Sequence, residues 1–221
     1  PDHPVVLPQW AQKDLMTLTP PVPTPAPSSF TLPNGLRLIV RPAHVSHTVS
    51  LYGMVRQNSD MQEPAGQEGI ADITDELFHY GTTTHDRVSF QKALDDIAAT
   101  ESAGSDFSLN VLAQDFDKGL RLLADNELHP AFPEKSFAVV RMNTASSLAG
   151  LLQSPDYLVG RAVKSAISPA HDPSLRQADP AQVMKLTLKD CRAFYNAAYR
   201  PDLTTIAVSY THLTLPTILL V

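Results

Sequence analysis

Hydrophobic and polar positions alternate in two different rhythms along this chain, and the rhythms place its elements. Two short apolar runs, residues 30–32 and 36–40, flank Pro33-Asn34-Gly35; Asn-Gly between apolar runs is a hairpin signal. Residues 48–55 alternate, with Val49, Leu51, Gly53 and Val55 on one side, and form a third strand. The spacing then changes. Ile70, Ile73 and Leu77 fall at i, i+3 and i+7, which predicts a helix over 69–80 closed by Gly81. Asp86 caps a second helix with Phe90, Leu94 and Ile97 inward. Phe107, Leu109 and Val111 alternate as a strand, and Phe116, Leu120 and Leu123 begin a third helix. Pro133 opens a long helix to about Leu152, Pro155 a short one, and Thr187 with Asp190 makes a capping-box start for another. Residues 203–208 form a last strand. Strands and adjacent helices mixed in this way predict a two-layer α+β domain of sheet plus helices rather than a doubly wound α/β sheet.

Both ends fall outside that pattern. Nine of the nineteen prolines lie in the first 33 residues, and residues 20–27 have no apolar period, so residues 1–28 are expected to be a proline-rich interdomain linker. A docking peptide is the alternative use of such a stretch. The short apolar piece around Trp10 suits docking on a neighbouring domain. Residues 208–217 match the in-frame translation of a transposon-library sequencing adapter. Residues 208–221 are therefore expected to be an artefact, with no function for Tyr210 or His212, and the domain to span 29–207 and to be C-terminally truncated.

Composition narrows the partners. With 17 Lys+Arg against 23 Asp+Glu the formal charge is −6, which argues against a nucleic-acid surface. No apolar run approaches a membrane span. A single cysteine, Cys191, excludes an internal disulfide framework and is expected to be a buried small apolar residue. His44 and His47 sit in a strand connection and are expected to be solvated.

The candidate chemistry lies on the helix over 69–80. Asp72, Asp75, Glu76 and His79 fall at i, i+3, i+4 and i+7, which puts them on one side. Such a row can hold a divalent ion. By spacing alone it is first of all a solvated face opposite the apolar stripe, with acids favoured near a helix N-terminus.

A set of landmarks in fixed order adds to this reading. They are F-T-L-P-N-G-L-R-L at 30–38, G-I-A-D-I-T-D-E-L-F-H-Y-G-T at 69–82, L-L-A-D at 122–125, H-P-A-F-P-E at 129–134 and F-Y-N-A-A-Y-R-P-D at 194–202. Together they resemble the insulinase/pitrilysin family of zinc metallopeptidases, which includes mitochondrial processing peptidases, over residues 30–207. The resemblance implies a processing-peptidase-like metallohydrolase domain. Active members carry an inverted zincin motif, H-x-x-E-H, on this helix, with a distal acidic ligand on a later one. Carried over, the first ligand position is Asp72, the general-base position Asp75 and the second ligand position Glu76. The third ligand position falls at Ser146 or Ser147, and no Asp or Glu occurs between Glu134 and Asp156. His79 stands where the family has an apolar residue.

The resemblance thus implies a noncatalytic copy of the domain in a two-half metalloendopeptidase, inactive by itself. It would form a chamber wall around a peptide substrate and contact an active half, in the same chain or a separate subunit. No cofactor is expected in this segment; zinc belongs to the partner half. Tyr195 and Tyr199, near Arg200, pack the core or line the chamber. Two alternatives stay open: an atypical metal-dependent peptidase using Asp72, Asp75 and Glu76, and a binding or assembly subunit without protease activity. A periplasmic or secreted bacterial location is what the resemblance implies.

Overall fold

The computed structural model describes residue 8, residues 26–43 and residues 47–210. Trp10, prolines 20–25, His44 and residues 211–221 lie outside the described residues. The chain forms β1 (Ser28–Thr31), β2 (Arg37–Pro42), β3 (Thr48–Val55), α1 (Ser59–Gln62), α2 (Ile70–Leu77), α3 (Arg87–Asp95), β4 (Thr100–Ser102) and β5 (Asp106–Leu112). Then come α4 (Phe116–Leu128), α5 (Glu134–Leu151), α6 (Pro155–Ile167), α7 (Pro180–Val183), α8 (Leu188–Ala198) and β6 (Thr204–Tyr210). Among the described residues the strands make one six-stranded mixed sheet, ordered β1-β2-β6-β3-β5-β4. β2 and β6 run parallel; the other neighbours are antiparallel. The α+β class follows the sequence expectation.

The hairpin turns where Asn-Gly predicts. Gly35 sits at φ 89°, and a side chain there would meet Asp202 Cβ at 2.7 Å. Asn34 Oδ1 accepts from the Leu36 N–H, which fixes the loop. On one sheet face Leu38, Val40, Val49, Leu51, Phe107, Leu109, Val111 and Val208 pack against Phe90 and Leu94 of α3 and Phe116 and Leu123 of α4. Gly53 leaves room on this face for the Phe107 ring, which stands 1.9 Å from where a Cβ would be. The opposite face leaves Tyr52 and Met54 exposed. A second core joins Ile70, Ile73 and Leu77 of α2 to Phe137 and Val140 of α5 and Cys191 and Phe194 of α8.

Several boundaries differ from the sequence reading. Helix α2 stops at Leu77 and tightens into a 3₁₀ turn over Phe78–Tyr80. Pro133 caps α5 from outside rather than sitting in its first turn. Strand β4 has no apolar alternation to announce it; it forms because β5 offers a free edge, so register decides where propensity does not. Strand β6 spans Thr204–Tyr210, against the 203–208 expected. Helix α6 is 13 residues long, not short, and none of its residues is buried. No helix among the described residues is long and apolar enough to cross a membrane.

Candidate functional site

Helix α2 begins without a side-chain cap of its own: Gly69 is left-handed at φ 93°. Glu63 supplies the cap from the preceding loop. Its Oε1 accepts from the Gly69 and Ala71 N–H groups, each at 3.0 Å, satisfying two of the orphan donors at the helix start. Burial nonetheless pushes the Glu63 carboxyl up from its ordinary value. Arg176 closes the loop over this end. Its guanidinium grips Glu68 Oε1 at 2.7 and 2.9 Å and donates to the Asp60 and Glu63 carbonyls. Asp72 faces this same end, beside a polar pocket of about 140 Å³. Desolvation, then the neighbouring Asp75 charge, pushes its carboxyl up.

Asp75 points the other way, into the turn between β4 and β5. Its Oδ1 accepts from the Ser105 N–H and from the Tyr199 hydroxyl, each at 2.6 Å, and its Oδ2 accepts from the Ser105 hydroxyl. Gly104, at φ 132°, is required for this approach: a Cβ there would lie 2.7 Å from Asp75 Oδ1. Burial and the Asp75 charge push the Tyr199 phenol far up, so it stays a donor.

Two further carboxyls converge from behind. Glu127 of α4 accepts from the Gly104 N–H at 2.7 Å; burial, then the Glu101 and Asp75 charges, push it up to about 8. Glu101 of β4 accepts from Asn126 Nδ2 at 3.0 Å and is pushed up by burial to about 7. Tyr195 donates to the Glu127 carbonyl at 2.6 Å, and burial pushes its phenol up to about 12. Phe78, Phe132, Tyr195 and Tyr199 stack around this network with centroid separations of 5.1–6.0 Å.

The row read as one polar face is therefore split. Asp72 lies at the N-terminal pocket, Asp75 turns inward, and Glu76 is exposed. His79 lines a separate cavity, because the 3₁₀ turn over-winds the chain after Leu77 and carries it off the row. Ser146 and Ser147 are exposed on α5, which packs beside α2. Cys191 is buried, and burial pushes its thiol up to about 11. His47 adjoins β3, its carbonyl accepting from the Ala113 N–H. Among the described residues no three His, Cys, Asp or Glu side chains are grouped to hold a metal ion.

Sequence reasoning missed Glu101, Asn126 and Glu127. For Glu127 a signal was present. The α4 stripe Phe116, Leu120, Leu123 continues at i+11 onto Glu127, a charge on the apolar face. The landmark at 122–125 also gains a reason: Asp125 Oδ2 accepts from Thr82 and Thr84 just after α2, tying two landmarks together.

No protein-family model matches the chain, and no curated protein matches it by sequence. Solved structures do match in fold. One is a protease from Helicobacter pylori, at TM-score 0.73 and 20% identity, covering 88% of this chain and 49% of that one. Another is a peptidase M16 inactive domain from Pseudomonas fluorescens, at TM-score 0.77 and 18% identity, covering 88% and 48%. A third is the periplasmic protease PqqL from Escherichia coli, at TM-score 0.66 and 17% identity, covering 89% and 23%. The chain thus spans about half the length of the first two and about a quarter of the third. Its fold is that of a peptidase M16 inactive domain, consistent with the insulinase-type resemblance carried by its landmarks.

Proposed function

We propose that this domain is the noncatalytic member of a two-half zinc metalloendopeptidase, forming a wall of a peptide-holding chamber and contacting an active half. The observation that carries the reading is the state of Asp75. At the position where active relatives need a general base, both carboxylate oxygens are engaged, by the Ser105 N–H and hydroxyl and by Tyr199. A general base must reach a water or a substrate proton. Asp75 instead joins α2 to the β4–β5 turn and to α8.

The residues at the ligand positions do not fit zinc either. A catalytic zinc takes three protein ligands and keeps one open position. Here Asp72 and Glu76 replace two neutral imidazoles with carboxylates, and the exposed Ser146 and Ser147 supply no anionic third ligand. An atypical metal site built on Asp72, Asp75 and Glu76 would require Asp75 to give up its three hydrogen bonds.

Helix α6 supports the contact with another domain. Leu158, Val159, Val163 and Ile167 are 50–79% exposed on a helix with no buried residue. An apolar helix surface of this kind marks an interaction site.

The test is to express the tagged chain together with the reading frame that flanks it in its genome. The reading predicts that a half bearing H-x-x-E-H is encoded there and co-purifies, and that Leu158→Glu with Val163→Glu weakens the association at least about tenfold. Absence of any such half from that frame and its neighbourhood overturns it in favour of a binding subunit without a protease.

A further inference from the structure

A cavity of about 580 Å³ lies between the 3₁₀ turn after α2, helix α3, β4 and Asn126 of α4. That volume is in the range of small-molecule sites, roughly 300–1,000 Å³. Its apolar wall is Phe78, Phe90 and Leu94, all buried. Two acceptors stand among its lining residues. Glu101 receives one hydrogen bond, from Asn126 Nδ2, and pairs with no cation among the described residues. Asn126 is 3% exposed, and its Oδ1 has no hydrogen-bond partner among the described residues. Buried polar groups are nearly always satisfied, so a carboxylate with a single donor beside an amide oxygen with none points to a ligand that brings donors.

The charged groups around the cavity do not fill that role. Arg87 of α3 lies over the Tyr80 ring, its guanidinium carbon 5.6 Å from the centroid. Lys92 is held by Asp96 at 2.9 and 3.0 Å. Asp95 accepts from Gln91 Nε2, and His79 stands exposed at the mouth. From α4, Glu127 adds a like charge behind Glu101, and Asp75 lies beyond it. The floor is thus acceptor-rich, with no cation on Glu101 and no donor on Asn126 Oδ1 among the described residues, and the walls suit an alkyl chain.

We propose that this cavity binds an organic cation, a guanidinium or primary ammonium group on a slender alkyl stem, with Glu101 and Asn126 as its acceptors. The stem lies along Phe78, Phe90 and Leu94. The cation neutralises a buried carboxylate and supplies donors to both oxygens, each charge-assisted. The inference stands independently of the proposed peptidase role. It has a pH signature, because the cation selects the ionised form of Glu101. With ionisation near 7, that form rises from roughly a tenth at pH 6 to roughly nine-tenths at pH 8, so affinity increases up to about ninefold. Ionisation of Glu127 adds attraction in the same direction.

The test is calorimetric titration of the full 221-residue chain with butylguanidinium, its neutral isostere butylurea, and the blocked peptide acetyl-Gly-Arg-Gly-amide, at pH 6 and pH 8. Butylguanidinium is expected to bind at least about tenfold more tightly than butylurea, and several-fold more tightly at pH 8. Glu101→Gln, checked for folding by circular dichroism, is expected to remove the preference for the cation, whereas Lys92→Met retains it. Binding of the blocked peptide identifies a basic peptide side chain as the source, and binding of butylguanidinium alone a free small cation. Equal affinity for the urea, no pH dependence in the unmutated chain, or unchanged cation binding by Glu101→Gln overturns the proposal.

Discussion

Asp75 is a joint between three elements: it stands on α2 and accepts from Ser105, in the turn between β4 and β5, and from Tyr199, which follows α8. Truncating it leaves the Tyr199 hydroxyl and the Ser105 N–H without their acceptor in a half-buried site. Asp75→Ala is therefore expected to lower unfolding free energy by about 2–4 kcal/mol, and Tyr199→Phe by about 1–2 kcal/mol, read by denaturant melts. If both changes leave the midpoint unmoved, the joint carries no stability. The carboxyls behind it give a pH dependence of definite sign. Glu101 and Glu127 ionise near 7 and 8 in the folded chain, against an ordinary value of 4.5. The folded state thus holds protons that the unfolded state releases. Their stabilisation is complete below about pH 4.5 and is lost as pH rises through 7 and 8. Thermal melting is expected to fall between pH 5 and pH 8.5, and Glu127→Gln to flatten that slope; a rise over the same range contradicts the assignment.

At the scale of elements, Gly53 has the closest approach of the glycines described: ring atoms of Phe107 lie 1.9 Å from where a Cβ would be. The Phe107 ring of β5 occupies the space a methyl group would need on β3. Gly53→Ala is expected to cost about 1–3 kcal/mol by overpacking. Combined with Phe107→Leu it should cost less than the two changes added, since the pair shares one volume. Strict additivity in a double-mutant cycle would show that the close approach is not what constrains the position. The elements also show what the sequence disclosed. Regular alternation marked β3 and β5, the apolar stripes marked α2, α3 and α4, and the Thr187–Asp190 box marked the start of α8, where both reciprocal hydrogen bonds form. Strand β4 was hidden because its pairing comes from the neighbouring edge and not from its own three residues. The split of the Asp72–His79 row was hidden for a related reason. Helical spacing places side chains on a face, but the 3₁₀ turn and the inward partners Ser105 and Tyr199 arise from tertiary packing. Glu101 has no periodic context at all, whereas Glu127 was legible as a charge on an apolar stripe.

At the scale of the molecule, the sheet, α3 and α4 form one core, and α2, α5 and α8 a second, with the Asp75 network between them. Relatives in fold include a peptidase M16 inactive domain, and the chain covers about half the length of that structure. The proposed role rests on helix α2, where Asp75 braces two other elements and Asp72 and Glu76 stand apart from it. Metal content is the most direct measure of that claim. The full chain, equilibrated with micromolar zinc at neutral pH, passed through a desalting column and analysed for metal, is predicted to retain well under one zinc per chain. Retention of about one zinc per chain, lost on Asp72→Ala or Glu76→Ala, would contradict the account and restore these carboxylates to a metal site.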